Sequence, residues 1–214
     1  MSTTSVRRRP SSVVRLLLAA VIAATLAAAF ETGAASEAGA AAQTAPEASP
    51  QGVPLLVGDS LSYAAKPLLP TFWRVRAWPG MALHEALDLL LDSSPRSARC
   101  VVVALGSNDV GDGRTAAQMR SSIVRVNEML PRHPCVLWTT VKVHGVHSML
   151  GSGWDASAER WNRVLAQYAD GTILDWDAIA RAHPGWFVPD GLHMRRAGRI
   201  AYANLLRAGV QAGS

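Results

Sequence analysis

Charge is scarce in this chain and, from Gln51 onward, nowhere gathered. Lys, Arg, Asp and Glu make up 17% of the 214 residues and hydrophobic types 49%, which excludes intrinsic disorder for the chain as a whole. The formal net charge of +5 points first to nucleic acid, but its distribution removes that class. Arg7, Arg8, Arg9 and Arg15 precede the first apolar run. From Gln51 onward, 17 basic and 13 acidic residues are interspersed without a Lys/Arg cluster. That is an ordinary solvated surface. The apolar run Leu16 to Phe30, broken only by Thr25, has 15 residues, short of the roughly 20 that span a bilayer. Cysteine occurs twice. No internal repeat is visible, and the length suits one domain with a full core.

The first thirty residues read as a signal peptide: a basic, polar start, an apolar centre, then small-residue cleavage patterns at Ala27-Ala28-Ala29 and Ala38-Gly39-Ala40. An uncleaved N-terminal anchor is the alternative, and then the membrane is touched through this segment alone. The arginines also open a twin-arginine signal whose remainder is poorly matched. All these readings place the rest of the chain outside the cytoplasm. Residues 31–52 are rich in Ala, Gly, Ser, Thr, Glu and Pro, with no aromatic and no apolar period. They are expected to form a flexible spacer. The folded domain is expected over 53–210.

Inside that domain, strand patterns alternate with helix patterns. Pro54 to Val57, Trp73 to Ala77, Val101 to Leu105, Val136 to Val141 and Thr172 to Leu174 read as strands. Met81 to Leu91, a second stretch through Ala116, Met119, Ile123, Val126 and Leu130, Ser157 to Tyr168 and Arg196 to Leu206 read as helices. This alternation predicts a parallel sheet between helical layers. Cys100 and Cys135 each stand at the front of an apolar run. If those runs are neighbouring parallel strands a bridge can form, and otherwise both are small buried hydrophobes.

In such sheets the chemistry sits beyond the carboxyl ends of the strands. Gly58-Asp59-Ser60-Leu61 follows the first strand, and a serine at a helix start has unpaired backbone N–H groups nearby. Taken alone this is a plain N-cap. It is not the nucleophile elbow of the α/β-hydrolases either, because Ser62 stands where that motif needs glycine. Trp78-Pro79-Gly80 follows the second strand, and Gly106-Ser107-Asn108-Asp109 the third, where an asparagine amide can face the same site or close an Asx-turn. Asp190-Gly191-Leu192-His193 lies near the C-terminus, and a carboxylate three residues before a histidine can orient its ring. Jointly the four blocks supply a nucleophile, a base, an orienting acid and oxyanion donors.

These blocks resemble the four sequence blocks of the SGNH, or GDSL, hydrolase family. The resemblance implies a three-layer α/β/α flavodoxin-like fold with a five-stranded parallel sheet. It implies a nucleophile at Ser60, a base at His193 oriented by Asp190, and oxyanion donors at the Ser60 and Gly80 N–H groups and the Asn108 side chain. It implies hydrolysis of acyl esters without a cofactor. The expected substrate is a small-molecule or carbohydrate ester with an acetyl or other short acyl group; acyl transfer to a sugar hydroxyl and a non-catalytic glycan-binding module are the alternatives. Exported from a bacterial cell, such a protein meets acetylated polysaccharide and cell-wall esters. A monomer with a shallow, open site is expected.

Weaker features complete the reading. His144 and His147, with Lys142 near, lack a Cys or carboxylate close in sequence to make a metal set, and read as a polar loop. Gly106 to Gly113 lacks the Lys-Ser/Thr of a phosphate loop. Trp138, Trp154 and Trp161 border the segment after the fourth strand, where they either stack on a sugar or fill the core.

Overall fold

The computed structural model describes residues 52–147 and 153–213. The leader read over 1–30, and all of the spacer except Gly52, lie outside the described residues. Five strands, β1 (Leu55–Gly58), β2 (Arg74–Ala77), β3 (Val101–Ala104), β4 (Val136–Thr139) and β5 (Thr172–Leu174), form one sheet in the order β2-β1-β3-β4-β5. Every pairing is parallel, with Leu56 opposite both Val75 and Val102, and Val102 opposite Leu137. Among the described residues seven α-helices accompany them: α1 (Ser60–Ala65), α2 (Ala86–Asp92), α3 (Ser107–Gly111), α4 (Ala116–Met129), α5 (Trp154–Tyr168), α6 (Trp176–Arg181) and α7 (Arg196–Ala212). Among the described residues, no helix is long and apolar enough to cross a membrane.

Strand alternation divides the core in two. Leu55, Val57, Val101, Val103 and Trp138 face one layer, built from α2, α4 and α5. Leu56, Val102, Leu137 and Leu174 face the other, built from α1, α6 and α7. All four residues of β3 are buried, because helices cover both faces, and each buried valine contributes roughly 1.5–3 kcal/mol. On α5, Trp154, Ala158, Trp161 and Leu165 form the buried stripe while Glu159 and Arg163 face solvent. The three-layer α/β/α architecture expected from the alternation is the one observed.

Element ends depart from the sequence reading for identifiable reasons. The second strand starts at Arg74, one residue later than read, and α5 starts at Trp154, three residues earlier. The first strand begins at Leu55 and β3 ends at Ala104, each a residue inside its expected bounds. Strand β4 stops at Thr139 because Val141 donates its N–H to Asn162 Oδ1 and accepts from Asn162 Nδ2 at its C=O, both at 2.8 Å, rather than bonding to a neighbouring strand. Helix α2 starts at Ala86, not Met81, because Asp109 and Glu85 hold the preceding turn through Leu83 N–H and Ala82 N–H. Helix α7 runs on to Ala212 and buries Gly209 and Val210 beyond the expected end at Leu206. Cys100 and Cys135 are joined by a disulfide that links the chain just before β3 to the chain just before β4.

Candidate active site

The chain switches direction across the sheet between β1 and β3, since β2 lies to one side of β1 and β3 to the other. A crevice at the carboxyl ends of such strands is where ligands bind in open α/β sheets. Ser60 opens α1 directly beyond β1. Asp59 caps that helix, its Oδ1 accepting the Leu61 N–H at 2.9 Å. Asp59 is 1% exposed. Burial pushes its carboxyl up to about 6, against hydrogen bonds from Leu61 N–H, the Ser107 side chain and Ser62 N–H and the charge of His193. The Ser107 bond ties the start of α1 to the start of α3.

A chain of hydrogen bonds runs out from Ser60. Its hydroxyl lies 3.1 Å from His193 Nε2, and His193 Nδ1 lies 2.7 Å from Asp190 Oδ2. The other Asp190 oxygen accepts Leu192 N–H at 2.8 Å and His193 N–H at 2.9 Å, so the carboxylate is held on both oxygens. Partial burial raises the Asp190 carboxyl, but the bonds to His193 and to these two N–H groups outweigh it and hold the group below its ordinary value. A charged Asp190 beside Nδ1 favours the tautomer with its proton on that nitrogen, which leaves Nε2 facing the Ser60 hydroxyl as an acceptor. The His193 and Asp190 side chains are 52% and 40% exposed, so the pair lies open to solvent.

The residues expected as oxyanion donors sit on two coupled turns. Gly80 follows β2 with φ +84°, and a Cβ built there would meet nothing within 4 Å. Asn108 Nδ2 donates to Met81 O at 2.9 Å, next to Gly80, and its second N–H remains available to a ligand. Beneath them lies a device the sequence reading missed. Asp109 is fully buried, and its Oδ2 accepts Leu83 N–H at 2.7 Å while Oδ1 stands 3.4 Å from His84 Nδ1. Burial raises this carboxyl, opposed by Leu83 N–H and His84. Asp109 thereby tethers the turn after β2 to the start of α3. The adjacency of Asn108 and Asp109 was the available signal, but nothing local names residues 83 and 84 as partners.

Gly106 shows why the turn after β3 has its shape. Its φ is +129°, and a Cβ there would lie 2.3 Å from the Trp161 ring. The backbone of the turn therefore rests directly on the indole, which only glycine allows. Trp161 belongs to the core, as do Trp138 and Trp154; all three are at most 2% exposed. Of their two readings, sugar-stacking surface and core, the core is the one observed. Trp138 and Trp154 donate their indole N–H groups to Asp170 O and Lys142 O, each at 3.0 Å, which anchors large rings inside a small domain. The exposed aromatics near the site are instead Tyr63, one turn along α1 from Ser60, and Trp78, just before Gly80. In the loop after β4, His144 Nδ1 lies 3.0 Å from Asp155 Oδ2, a carboxylate eleven residues away in sequence. Among the described residues, no three His, Cys, Asp or Glu side chains are grouped to hold a metal ion.

Comparison with known proteins places the fold. No family model and no curated protein sequence matches this chain. Solved structures do. The C-terminal catalytic domain of peptidoglycan O-acetyltransferase A from Streptococcus pneumoniae, determined with a methylsulfonyl adduct, superposes with TM-score 0.60 at 21% identity, covering 76% of this chain and 94% of that one. A GDSL-like lipase from Bacteroides thetaiotaomicron superposes with TM-score 0.63 at 13% identity, covering 77% and 90%. The lipase/acylhydrolase from Enterococcus faecalis gives 0.57 at 17%, covering 75% and 96%. The fold of this chain is that of the SGNH/GDSL hydrolases.

Proposed function

We propose that this chain is an exported serine esterase that removes acetyl or other short acyl groups from carbohydrate or cell-wall esters. The observation that carries the reading is the hydrogen-bonded series Ser60, His193 and Asp190 at the carboxyl edge of the sheet. In this reading His193 Nε2 takes the Ser60 proton as the hydroxyl attacks the ester carbonyl. The oxyanion is received by the Ser60 and Gly80 N–H groups and by the second N–H of Asn108. The imidazolium, stabilised by Asp190, then protonates the leaving alcohol. Water, activated by His193, attacks the acyl-serine and releases the acid. Export rests on the apolar run Leu16 to Phe30 behind its four arginines. A carbohydrate substrate is consistent with a site whose histidine and aspartate are open to solvent.

Hydrolysis of p-nitrophenyl acetate and its longer-chain homologues by the full-length chain tests this. Turnover should favour acetate and fall by at least about 10⁴-fold in the Ser60→Ala variant. Absence of turnover on every chain length, in folded protein, would sink the esterase. A second reading, transfer of the acyl group from Ser60 to a sugar hydroxyl, draws on the likeness to the O-acetyltransferase domain. It predicts that an added sugar acceptor captures the acyl group in preference to water.

A further inference from the structure

Behind the loop that carries Asp190 and His193 lies a cavity of about 400 Å³ that the steps above do not use. Val188 and Gly191, on either side of Asp190, form one wall, and Lys142, His147, Arg181 and Phe187 line the rest. Lys142 is unusual among these. It is 5% exposed, yet its ammonium makes no ion pair among the described residues. Its contacts are a hydrogen bond to His144 O and the face of the Phe187 ring, with Nζ 4.7 Å from the centroid. A buried ammonium is costly unless a charge offsets it.

The neighbouring carboxylates are committed elsewhere. Asp177 accepts Val143 N–H through Oδ1 and pairs with Arg181 through Oδ2 at 2.8 Å. Asp155 pairs with His144, and Asp190 holds His193. Arg181 offers further N–H groups beyond the one given to Asp177, and its side chain is 58% exposed. Lys142 and Arg181 line the cavity and no carboxylate does; Asp177, Asp155 and Asp190 act on Lys142 from outside the lining. Burial lowers the Lys142 ammonium from its ordinary value, against the pull of Asp177, Asp155 and Asp190, so a bound anion would restore the charge that burial disfavours.

The position of the cavity matters as much as its charge. A Cβ on Gly191 would lie 1.6 Å from Gly145 O, so the turn over Lys142 packs directly against the Asp190–His193 loop. His147 N–H donates to Asp190 O at 2.7 Å across the same contact. The cavity thus adjoins the loop of Asp190 and His193 through Val188, Pro189 and Gly191, while Ser60 and His193 themselves stand outside its lining. We propose that the cavity is an anion subsite, in which Lys142 and Arg181 bind a carboxylate or phosphate group carried on the alcohol portion of the substrate. The assignment to the alcohol portion rests on the esterase reading; anion binding itself does not.

The test separates the two. Full-length protein carrying Ser60→Ala is titrated with sodium phosphate and, separately, sodium acetate at constant ionic strength, following the amide resonances of Gly145 and Gly191. Saturable shifts are expected with at least one anion, and the tighter of the two identifies phosphate or carboxylate as the group recognised. Adding Lys142→Met should weaken binding at least about tenfold, the scale of one charge-assisted hydrogen bond. Arg181→Gln, at a side chain that is 58% exposed, should weaken it about threefold or more. In the active enzyme, the ratio of KM for p-nitrophenyl acetate to KM for 5-acetoxy-2-nitrobenzoate, its carboxylate-bearing counterpart, should be about five or more and collapse toward one in Lys142→Met. No saturable binding, binding indifferent to both substitutions, or a ratio of one in the unmodified enzyme would overturn the subsite. None of these results bears on whether Ser60 is the nucleophile, which p-nitrophenyl acetate turnover reads separately.

Discussion

Replacing Asp59 with asparagine isolates the energetic cost of the acid behind the candidate nucleophile. Asp59 is 1% exposed, and burial raises its carboxyl from 3.8 to about 6. Such a rise corresponds to about 3 kcal/mol of preference for the neutral form in the folded state. Between pH 3.8 and 6 the folded protein thus holds more proton at this site than the unfolded chain does. Stability from Asp59 is therefore fully present below about pH 4 and is lost as pH rises through 6. The Asp59→Asn variant is neutral throughout and keeps an oxygen for the Leu61 N–H, as asparagine caps helices about as well as aspartate. Urea unfolding of both proteins from pH 4 to pH 8 gives the difference directly, since all other titrating groups cancel. The variant should gain on the wild type by about 3 kcal/mol over that range, at no more than about 1.4 kcal/mol per pH unit. Parallel curves, or a variant that loses ground as pH rises, would refute the assignment of a raised, buried acid at position 59.

Three further outcomes can be measured with the same protein. Asn108→Ala should lower kcat on p-nitrophenyl acetate by about 10²–10³, the usual loss for one oxyanion donor, and an unimpaired variant would remove Asn108 from that role. Gly106→Ala forces a Cβ to 2.3 Å from Trp161 at φ +129°; overpacking and backbone strain together should cost about 2–5 kcal/mol, seen as a drop in Tm of roughly 5–15 °C. A variant as stable as the wild type would contradict the close approach of the turn to the indole. Changing both Cys100 and Cys135 to alanine opens a crosslink spanning 35 residues and should lower stability by about 3–4 kcal/mol, with the Tm of the reduced wild type falling toward that of the variant. Equal stability of oxidised wild type and variant would argue against a bridge that constrains the unfolded chain.

The layers and the strand-end blocks were legible because their causes are local. Val101 to Ala104 is β-branched enough to announce a strand covered on both faces, and Gly58-Asp59-Ser60 carries its own cap chemistry. Chain order then places Ser60, Gly80 and Asn108 beyond successive strands, since right-handed crossovers leave few arrangements for such an alternation. The approach of His193 to Ser60 is another matter: 133 residues separate them, and no local pattern measures that distance. The same holds for Lys142, which looks like any loop lysine until Phe187 and the turn at Gly145 close over it. Trp138, Trp154 and Trp161 could serve a surface or a core by composition alone. Sequence by itself determined the alternation, the blocks and the pairing of residue types with chemistry, all properties of neighbours along the chain. Only the tertiary structure decided which indoles are buried, which turn Asp109 tethers and which charge is left unpaired, because burial and partnership depend on residues brought together from distant parts of the chain.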